Sequence, residues 1–172
     1  MPRPRSRDVP IRIRRAAAAD AAALHAMMRA LAGHVGSKGL LTTPAALARD
    51  CAGPRARFTA LLAEHAGTPV GYVSFARGYS IWRGRNRLWL DDLYVAARWR
   101  SRGVGLLLMR AVARIAARAG ADVKWEVGGD NARAIAFYKR LGASVTVKGL
   151  CRWPADAAAA AATASAVRSR RS

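Results

Sequence analysis

Hydrophobic residues follow two periodicities along the chain, and these predict strands and helices in a definite order. Strand-like segments with alternating or β-rich apolar positions are 11–14, 57–67, 70–78, 87–95, 123–127 and 145–153. Helix-like segments with apolar residues three and four positions apart are 21–33, 42–51, 103–119 and 131–141. This order predicts an α/β fold of the α+β type, in which helices flank a mixed, mostly antiparallel sheet with one strand–helix–strand crossover.

Capping residues and composition place the boundaries. Asp20 and Thr43 suit helix N-caps, with Pro44 at a first helical position, and glycines at 33, 120 and 142 follow the ends of predicted helices. Residues 1–10 carry prolines among arginines and predict a flexible basic arm. Residues 155–172 form a low-complexity Ala/Arg tail with no expected core contribution. A single domain over 11–154 remains.

The charge of the chain raises the question of an anionic partner. Among 172 residues there are 30 Lys+Arg against 10 Asp+Glu, a formal net charge of +20. Such a balance favours nucleic acid, an acidic membrane or a phosphorylated ligand. It is equally typical of an Ala- and Arg-biased composition without any selected partner. The arginines are spread along the chain rather than clustered with aromatic residues, which argues against a nucleic-acid-binding module.

Cysteine and histidine usage bounds the chemistry further. Two cysteines and three separated histidines form no zinc-ligand pattern, so no metal site is expected. A disulfide between Cys51 and Cys151 has no support, and a reducing cytoplasmic location is the default expectation. No apolar run approaches the roughly 20 residues of a membrane span. The alanine-rich stretch that contains Asp20 and His25 does not have the layout of a signal peptide.

A glycine turn joins the predicted strand 87–95 to the predicted helix 103–119. Its pattern is Arg100-x-x-Gly103-x-Gly105. Glycine lets a ligand approach the backbone closely, and the free N–H groups at a helix start face an anion. The pattern is neither a Walker motif nor the dinucleotide fingerprint. Taken alone, the turn is equally consistent with phosphate binding and with a tight strand-to-helix connection.

The residues around this turn bear a family resemblance. "LWLDDLYVAARWRSRGVG" and "NARAIAFYKRLGAS" resemble the two signature regions of the GNAT superfamily of acetyl-CoA-dependent N-acetyltransferases. The second region matches an Asn-x-x-Ala-x-x-Phe-Tyr-x-x-x-Gly pattern through Asn131, Ala134, Phe137, Tyr138 and Gly142. The resemblance covers residues 11 to about 153, with strong motifs only in 87–142. "YSIWRGRNRLWLDDLYV" and "FYKRLGAS" are most similar to the diamine (spermidine/spermine-type) acetyltransferase branch.

The resemblance implies a GNAT-like fold and acetyl-CoA as cosubstrate. Turn N–H groups would hold the pyrophosphate, the strand edge would pair with the pantetheine arm as an added strand, and the second motif would meet that arm. The cosubstrate-binding residues implied are Leu93, Tyr94, Val95, Arg100, Ser101, Arg102, Gly103, Val104, Gly105, Leu106, Asn131, Ala134 and Tyr138.

Amine acetylation needs a deprotonated amine, donors for the thioester oxygen as it gains negative charge, and an acid for the departing thiolate. By match to the family, Tyr138 is the candidate acid. The alternative is that Tyr138 is an aromatic core residue on a short helix, although Phe137 suffices as an anchor there. The backbone N–H near Val95 is the candidate oxyanion donor.

Two adjacent carboxylates inside an apolar strand are the candidates for the amine side of the reaction. Strand alternation predicts that Asp91 and Asp92 point to opposite faces. By match to the diamine branch, Asp91 is the amine ligand or a base acting through water, Asp92 is structural, and Glu126 is a reserve base. The alternative is that both carboxylates pair with arginines, of which Arg85 and Arg87 are nearby.

The resemblance leaves the acceptor amine open. The candidate substrate-binding residues are His34, Asp91 and Trp125. Where the diamine branch carries acidic residues, this chain has His34, Val35 and Lys148, so polyamine specificity is not implied. The expected function is acetyl transfer to a primary amine of a small molecule in a ternary complex, within a homodimer without nucleic-acid or membrane partners. A protein-amine acetyltransferase, a silent CoA-binding regulator and a basic nucleic-acid-binding module remain the alternatives.

Overall fold

The computed structural model describes residues 10–36 and 39–163 of the protein. Residues 1–9 of the predicted basic arm and 164–172 of the predicted tail lie outside the described residues. The chain divides into two compact units, one that ends at Glu126 and one that begins at Val127.

The first unit is a five-stranded sheet with three α-helices. Its strands are β1 (Arg12–Arg15), β2 (Thr59–His65), β3 (Thr68–Ser80), β4 (Arg85–Val95) and β5 (Asp122–Lys124). Its helices are α1 (Ala21–His34), α2 (Pro44–Asp50) and α3 (Val104–Arg118). The strands lie side by side in chain order. The first four are antiparallel and β4 pairs with β5 in parallel, so the predicted mixed, mostly antiparallel sheet with one crossover is confirmed.

Side chains of the sheet and helices bury a core despite the many alanines. On one face, Leu62 of β2 and Tyr72 of β3 pack in a cluster with Leu24 and Met27 of α1 and Leu47 of α2. Helix α3 buries its own apolar stripe, whose fully enclosed members are Val104, Leu108 and Val112. The largest fully buried side chains are mainly leucines and valines, together with Tyr72 and Phe75.

Several predicted strand boundaries are wrong. Half of the predicted loop 79–86 is strand, because β3 continues to Ser80 and β4 begins at Arg85, on either side of a short 3₁₀ turn at Ile81–Arg83. β5 ends at Lys124 rather than at 127, and residues 145–153 form no strand. An alternating apolar pattern becomes a strand only where another strand supplies hydrogen bonds, and the pattern itself does not report whether a partner is present.

The second unit contains α4 (Ala132–Arg140) and α5 (Ala155–Thr163). Asn131 caps α4, since its Oδ1 accepts a hydrogen bond from the Ala134 N–H at 3.1 Å. Gly142 follows the helix with φ +88°, a left-handed conformation that glycine adopts without strain. No residue of α5 is buried.

The start of α1 depends on an ion-pair network rather than on the predicted cap. Asp20 stands at the N-cap position, but its side chain accepts no hydrogen bond from the helix. Instead it accepts from the Ala17 N–H and from both terminal nitrogens of Arg14, at 2.6–2.8 Å. Arg14 also donates to Glu64 Oε1 on β2 at 2.6 Å. The cap predicted at Thr43 is confirmed, because its Oγ1 accepts from the Ala46 N–H.

We expect replacement of Arg14 by methionine to destabilise the protein and to change its acid sensitivity. Hydrogen bonds from Arg14 hold the pKa values of Asp20 and Glu64 below their usual range. Their contribution to stability is therefore present above the unfolded-state pKa values near 4 and is lost as the pH falls through the lowered folded-state values. The loss at pH 7 should be about 2 kcal/mol, less than for a fully buried pair.

Denaturant unfolding between pH 3 and pH 7 measures both effects. Arg114→Met is the control, because Arg114 is exposed on α3 and takes part in none of the ion pairs found within residues 10–36 and 39–163, so its removal should leave the pH profile unchanged. Equal profiles for Arg14→Met and the wild-type protein would refute a stabilising role of the network.

Candidate active site

Strand β4 contains a β-bulge at its two adjacent carboxylates. Asp92 pairs with Ser74 and Leu90 pairs with Phe75, so Asp91 is an extra residue on β4. Ser74 and Phe75 are neighbours on β3 and face opposite sides of the sheet. Leu90 and Asp92 consequently also face opposite sides, although they are two residues apart. The predicted opposition of Asp91 and Asp92 assumed unbroken alternation, which does not hold across the bulge.

The second edge of β4 is open beyond the bulge. Its pairing with β5 consists of three residue pairs and ends at Trp89 and Lys124. The Ala96 N–H donates to the Val70 carbonyl on the β3 side at 2.9 Å. Because backbone groups alternate between strand edges, those of Leu93 and Val95 point away from β3. Among the described residues, no strand pairs with them, so this edge could accept an extended ligand.

The turn after β4 returns to this edge before α3 begins. Arg100 Nε donates to the Val95 carbonyl at 2.9 Å, so the arginine of the motif fastens the turn to the end of β4. Ser101 and Gly103 are left-handed, with φ +61° and φ +79°. The first helical hydrogen bond runs from the Leu107 N–H to the Gly103 carbonyl. The N–H groups of residues 104–106 therefore precede the helical ladder, as required to receive an anion.

An aromatic stack supports the turn and was not predicted from the sequence. The Trp99 ring lies 4.5 Å from the His65 ring at the end of β2. The Arg102 guanidinium lies 5.5 Å from the centre of the Trp99 ring, within cation–π range. Trp99 and His65 are 34 positions apart in the sequence, so only the antiparallel arrangement of the strands brings them together.

Behind the bulge, Asp92 is tied to a buried phenol. The Tyr72 hydroxyl donates to Asp92 Oδ2 at 3.0 Å, and the Tyr72 side chain is fully buried. Burial raises the pKa of Asp92, and the Tyr72 hydrogen bond opposes that rise. Burial and the adjacent carboxylate raise the pKa of Tyr72, which keeps the phenol protonated. Asp92 is therefore held by a hydrogen bond from a buried side chain, and its structural role stays a prediction.

Asp91 is open to solvent. Partial desolvation raises its pKa, and the Asp92 charge raises it further. Arg85 and Arg87, the arginines considered as partners for the two carboxylates, have other partners: Arg85 lies 3.4 Å from Asp122, and Arg87 donates to the Ser80 hydroxyl at 2.7 Å. A solvent-accessible carboxylate with a raised pKa can bind an ammonium group or accept a proton through water.

The second unit carries the predicted tyrosine acid and its neighbours. Tyr138 is the buried residue of α4, and its ring lies 5.3 Å from the ring of Phe137. Burial raises the pKa of Tyr138, so the phenol stays protonated at neutral pH. Asn131 uses its side-chain oxygen to cap α4, and Ala134 supplies the N–H that it accepts.

The remaining predicted site residues lie at the ends of elements. Trp125 is half-buried and Glu126 is exposed, both directly after β5. His34 is the exposed last residue of α1. Their proposed roles stay predictions. Within residues 10–36 and 39–163, no group of three or more His, Cys, Asp or Glu side chains is arranged to hold a metal ion. In the same ranges, no helix has the length and apolarity to cross a membrane.

The structure is a mixed α/β fold with an open strand edge beside a helix start, and comparison with known proteins identifies the family. The acetyltransferase (GNAT) family model matches residues 25–143. The mouse thialysine N-epsilon-acetyltransferase is 33% identical over 142 residues, which cover 77% of this chain and 83% of that protein. The bovine counterpart is 39% identical over 75 residues, 43% of this chain and 44% of its own length.

Two further comparisons agree. The L-ornithine N5-acetyltransferase of Arabidopsis thaliana is 35% identical over 90 residues, 51% of this chain and 40% of that protein. An aminoglycoside acetyltransferase structure from an uncultured soil metagenomic sample shares the fold, with a TM-score of 0.70, 16% identity and coverage of 84% of this chain and 95% of that one. The chain belongs to the GNAT family and is an N-acetyltransferase.

We expect Gly71→Ala to disturb the open edge of β4. A Cβ at Gly71 would lie 2.7 Å from the Tyr94 carbonyl oxygen and 3.4 Å from the Val95 Cα. The end of β4 must shift to accommodate it, at a cost of about 1–3 kcal/mol in the free energy of unfolding. Denaturant unfolding measures the cost, and amide hydrogen exchange at Ala96, whose N–H donates to the Val70 carbonyl, reports the shift.

Gly78→Ala is the matched control on the same strand. A Cβ there would meet only the Arg87 carbonyl at 4.0 Å, so the change should be close to neutral. Equal stability of the two variants would show that the close approach at Gly71 is not a constraint.

Proposed function

We propose that the protein transfers an acetyl group from acetyl-CoA to a primary amine of a small molecule by direct attack in a ternary complex. The observation that carries the proposal is the open edge of β4 after the bulge, followed at once by the anion-accepting start of α3. A strand edge suits the amide-bearing pantetheine arm, and free helix N–H groups suit the pyrophosphate. GNAT acetyltransferases in general use this cosubstrate.

In this proposal, the backbone rather than the arginine side chains holds the cosubstrate. Leu93 offers its edge N–H and carbonyl groups, Val95 offers its N–H, and residues 104–106 offer N–H groups. Arg100 stabilises the turn and does not itself hold the cosubstrate, because its Nε already donates a hydrogen bond to the Val95 carbonyl. Asn131 and Ala134 are proposed to contact the pantetheine arm. The Val95 N–H is the proposed donor to the thioester oxygen.

Two side chains are proposed to handle protons. Tyr138 donates to the departing thiolate, which its raised pKa supports because the phenol remains protonated at neutral pH. Asp91 binds the incoming ammonium group or removes its proton through water, with Glu126 as the reserve base. Aspartate is short, so a water relay suits Asp91 better than direct contact. Trp125 and His34 are proposed to border the acceptor.

The class of acceptor follows from the relatives. Thialysine and L-ornithine, which appear in the names of two of them, are small amino acids with a side-chain amine. This supports a small-molecule acceptor rather than a protein amine. The excess positive charge of the chain is unfavourable for a polyamine, whose charges have the same sign.

Thiol release from acetyl-CoA across a panel of amines tests the proposal. The panel contains L-ornithine, L-lysine, thialysine, putrescine, spermidine and a lysine-rich protein, with mass spectrometry of the product. We expect acetylated small amines. Binding of CoA without any product would favour the silent regulator, and salt-dependent DNA binding without CoA binding would favour the nucleic-acid module.

Tyr138→Phe separates catalysis from binding in the same assay. Loss of the acid should lower kcat by about 10²-fold or more, while the Kd for acetyl-CoA, measured by calorimetry, changes little. Tyr79→Phe is the control, since Tyr79 is an exposed tyrosine on β3 outside the proposed site. An unchanged kcat in Tyr138→Phe would remove the phenol from the mechanism.

We also infer a homodimer in a reducing, cytoplasmic compartment. Residues 145–153 have a strand-like sequence but no strand partner among the described residues, and Val147, Leu150 and Trp153 are 94%, 74% and 71% exposed. Pairing with a second copy would cover these side chains. Cys51 and Cys151 are free thiols, which supports a reducing compartment. Light scattering should report twice the monomer mass, and Val147→Asp should shift it toward the monomer.

A further inference from the structure

The turn after β4 contains a backbone conformation that its own residues do not favour. Ser101 is left-handed with φ +61°, although it has a Cβ, and Gly103 is left-handed with φ +79°. A residue with a Cβ adopts this conformation at a cost, and the conformation persists only where surrounding contacts determine it. The N–H groups of residues 104–106 follow directly, so contacts that hold Ser101 also fix the direction of these groups.

Hydrogen bonds hold the first part of the turn. The Trp99 N–H donates to the Ala96 carbonyl at 2.7 Å, and Arg100 Nε donates to the Val95 carbonyl at 2.9 Å. Both hydrogen bonds lie before Ser101 in the chain. They fasten the approach to the left-handed serine, whereas side chains on both sides of it support the serine itself.

Two ring contacts span Ser101. The Arg102 guanidinium lies 5.5 Å from the centre of the Trp99 ring, so a contact joins the residues that flank the serine. The Trp99 ring centre lies 4.5 Å from that of His65, at an interplanar angle of 46°. Both distances are within the ranges of favourable cation–π and aromatic pairs. Trp99 Nε1 is buried and no described residue accepts a hydrogen bond from it, so the ring contacts orient this side chain.

His65 occupies a well-fixed position in the sheet. It is the last residue of β2 and pairs with Thr68, the first residue of β3. Between them, Ala66 and Gly67 have φ values of +48° and +77°, as in the tight type I′ turns that join antiparallel strands. Because β3 lies between β2 and β4, the contact of His65 with Trp99 spans the width of β3. It ties the turn to a strand that is remote from it in the chain.

We propose that His65 is a positioning residue for the cosubstrate. Through the Trp99 ring, it holds the turn 100–103 in the conformation in which the N–H groups of residues 104–106 meet the pyrophosphate. The proposal rests on the proposed use of acetyl-CoA and deepens it. A turn that is fixed in advance loses less conformational entropy when the ligand binds. The His65 ring therefore contributes to affinity for the anion without contacting the reacting atoms.

Calorimetric titration with CoA tests the proposal without any need for turnover. His65→Leu removes the ring and should weaken CoA binding about three- to tenfold, the effect expected for one aromatic pair. His65→Phe keeps an aromatic ring and should remain within about twofold of the wild-type protein. His25→Leu is the matched control, because His25 lies on α1 with its Nε2 3.1 Å from the Thr42 carbonyl oxygen, and it should leave the Kd for CoA unchanged.

A pair of acetyl donors shows whether the effect arises at the turn. Acetyl-pantetheine has the thioester and the arm of acetyl-CoA but lacks the pyrophosphate. With the best acceptor of the amine panel, His65→Leu should raise KM for acetyl-CoA about three- to tenfold at unchanged kcat. The same variant should leave kcat/KM for acetyl-pantetheine unchanged. A general loosening of the fold would instead affect both donors alike.

A double-mutant cycle tests whether His65 acts through Trp99. Trp99→Leu should weaken CoA binding at least as much as His65→Leu. The double variant should bind CoA no more weakly than Trp99→Leu alone, because the His65 ring then has nothing to support. Additive losses would contradict this route. Denaturant unfolding checks that each variant is folded, and if Trp99→Leu is not, the comparison of His65→Leu with His65→Phe decides.

The outcomes separate this inference from the proposed function. If His65→Leu weakens CoA binding and His65→Phe does not, but no amine is acetylated, the positioning role stands and amine acetylation falls. If amines are acetylated but the wild-type protein and His65→Leu bind CoA equally, the inference falls and the acetylation stands. Equal losses with acetyl-CoA and acetyl-pantetheine would also overturn the inference, as would the absence of CoA binding by the wild-type protein.

Discussion

The unequal sharing of β4 between its two neighbours is the constraint on which the candidate site depends. β4 pairs with β3 along its whole length but with β5 over only three residue pairs, so its second half has one free edge. The bulge at Asp91 reverses which residues face which side of the sheet. It brings Asp92 to the face of Tyr72 and leaves the backbone of Leu93 and Val95 pointing to the open edge. An unbroken five-stranded sheet would have closed this edge.

The scarcity of acidic residues gives the two carboxylates on β4 their importance. The chain has 10 Asp+Glu against 30 Lys+Arg. Asp20, Asp50, Glu64 and Asp122 hold arginines in ion pairs. Asp91 and Asp92 take part in none of these pairs, although the chain has arginines in excess. Sheet geometry, and not charge balance, keeps Asp91 and Asp92 apart from Arg85 and Arg87. These two arginines interact with Asp122 and Ser80 instead.

Local signals predicted most helices and the turn correctly, and long-range pairing explains the errors. Thr43 caps α2 as predicted, because capping needs only neighbours in the chain. Asp20 was expected to do the same for α1, but Arg14 and the Ala17 N–H engage its side chain instead. The segment 145–153 has the alternation of a strand and no strand partner among the described residues. In each case a contact decided by the tertiary fold outweighed the local preference.

The sequence by itself determined the order of the elements, the glycine turn, the second motif around Asn131 and Tyr138, and hence the family resemblance. These depend on residue type and short spacing. Only the tertiary structure decided that β4 bulges at Asp91, that Arg100 fastens the turn, and that Trp99 stacks on His65. Register, bulges and cavities arise from contacts between residues far apart in the chain. The spacing of apolar residues along the sequence therefore does not predict them.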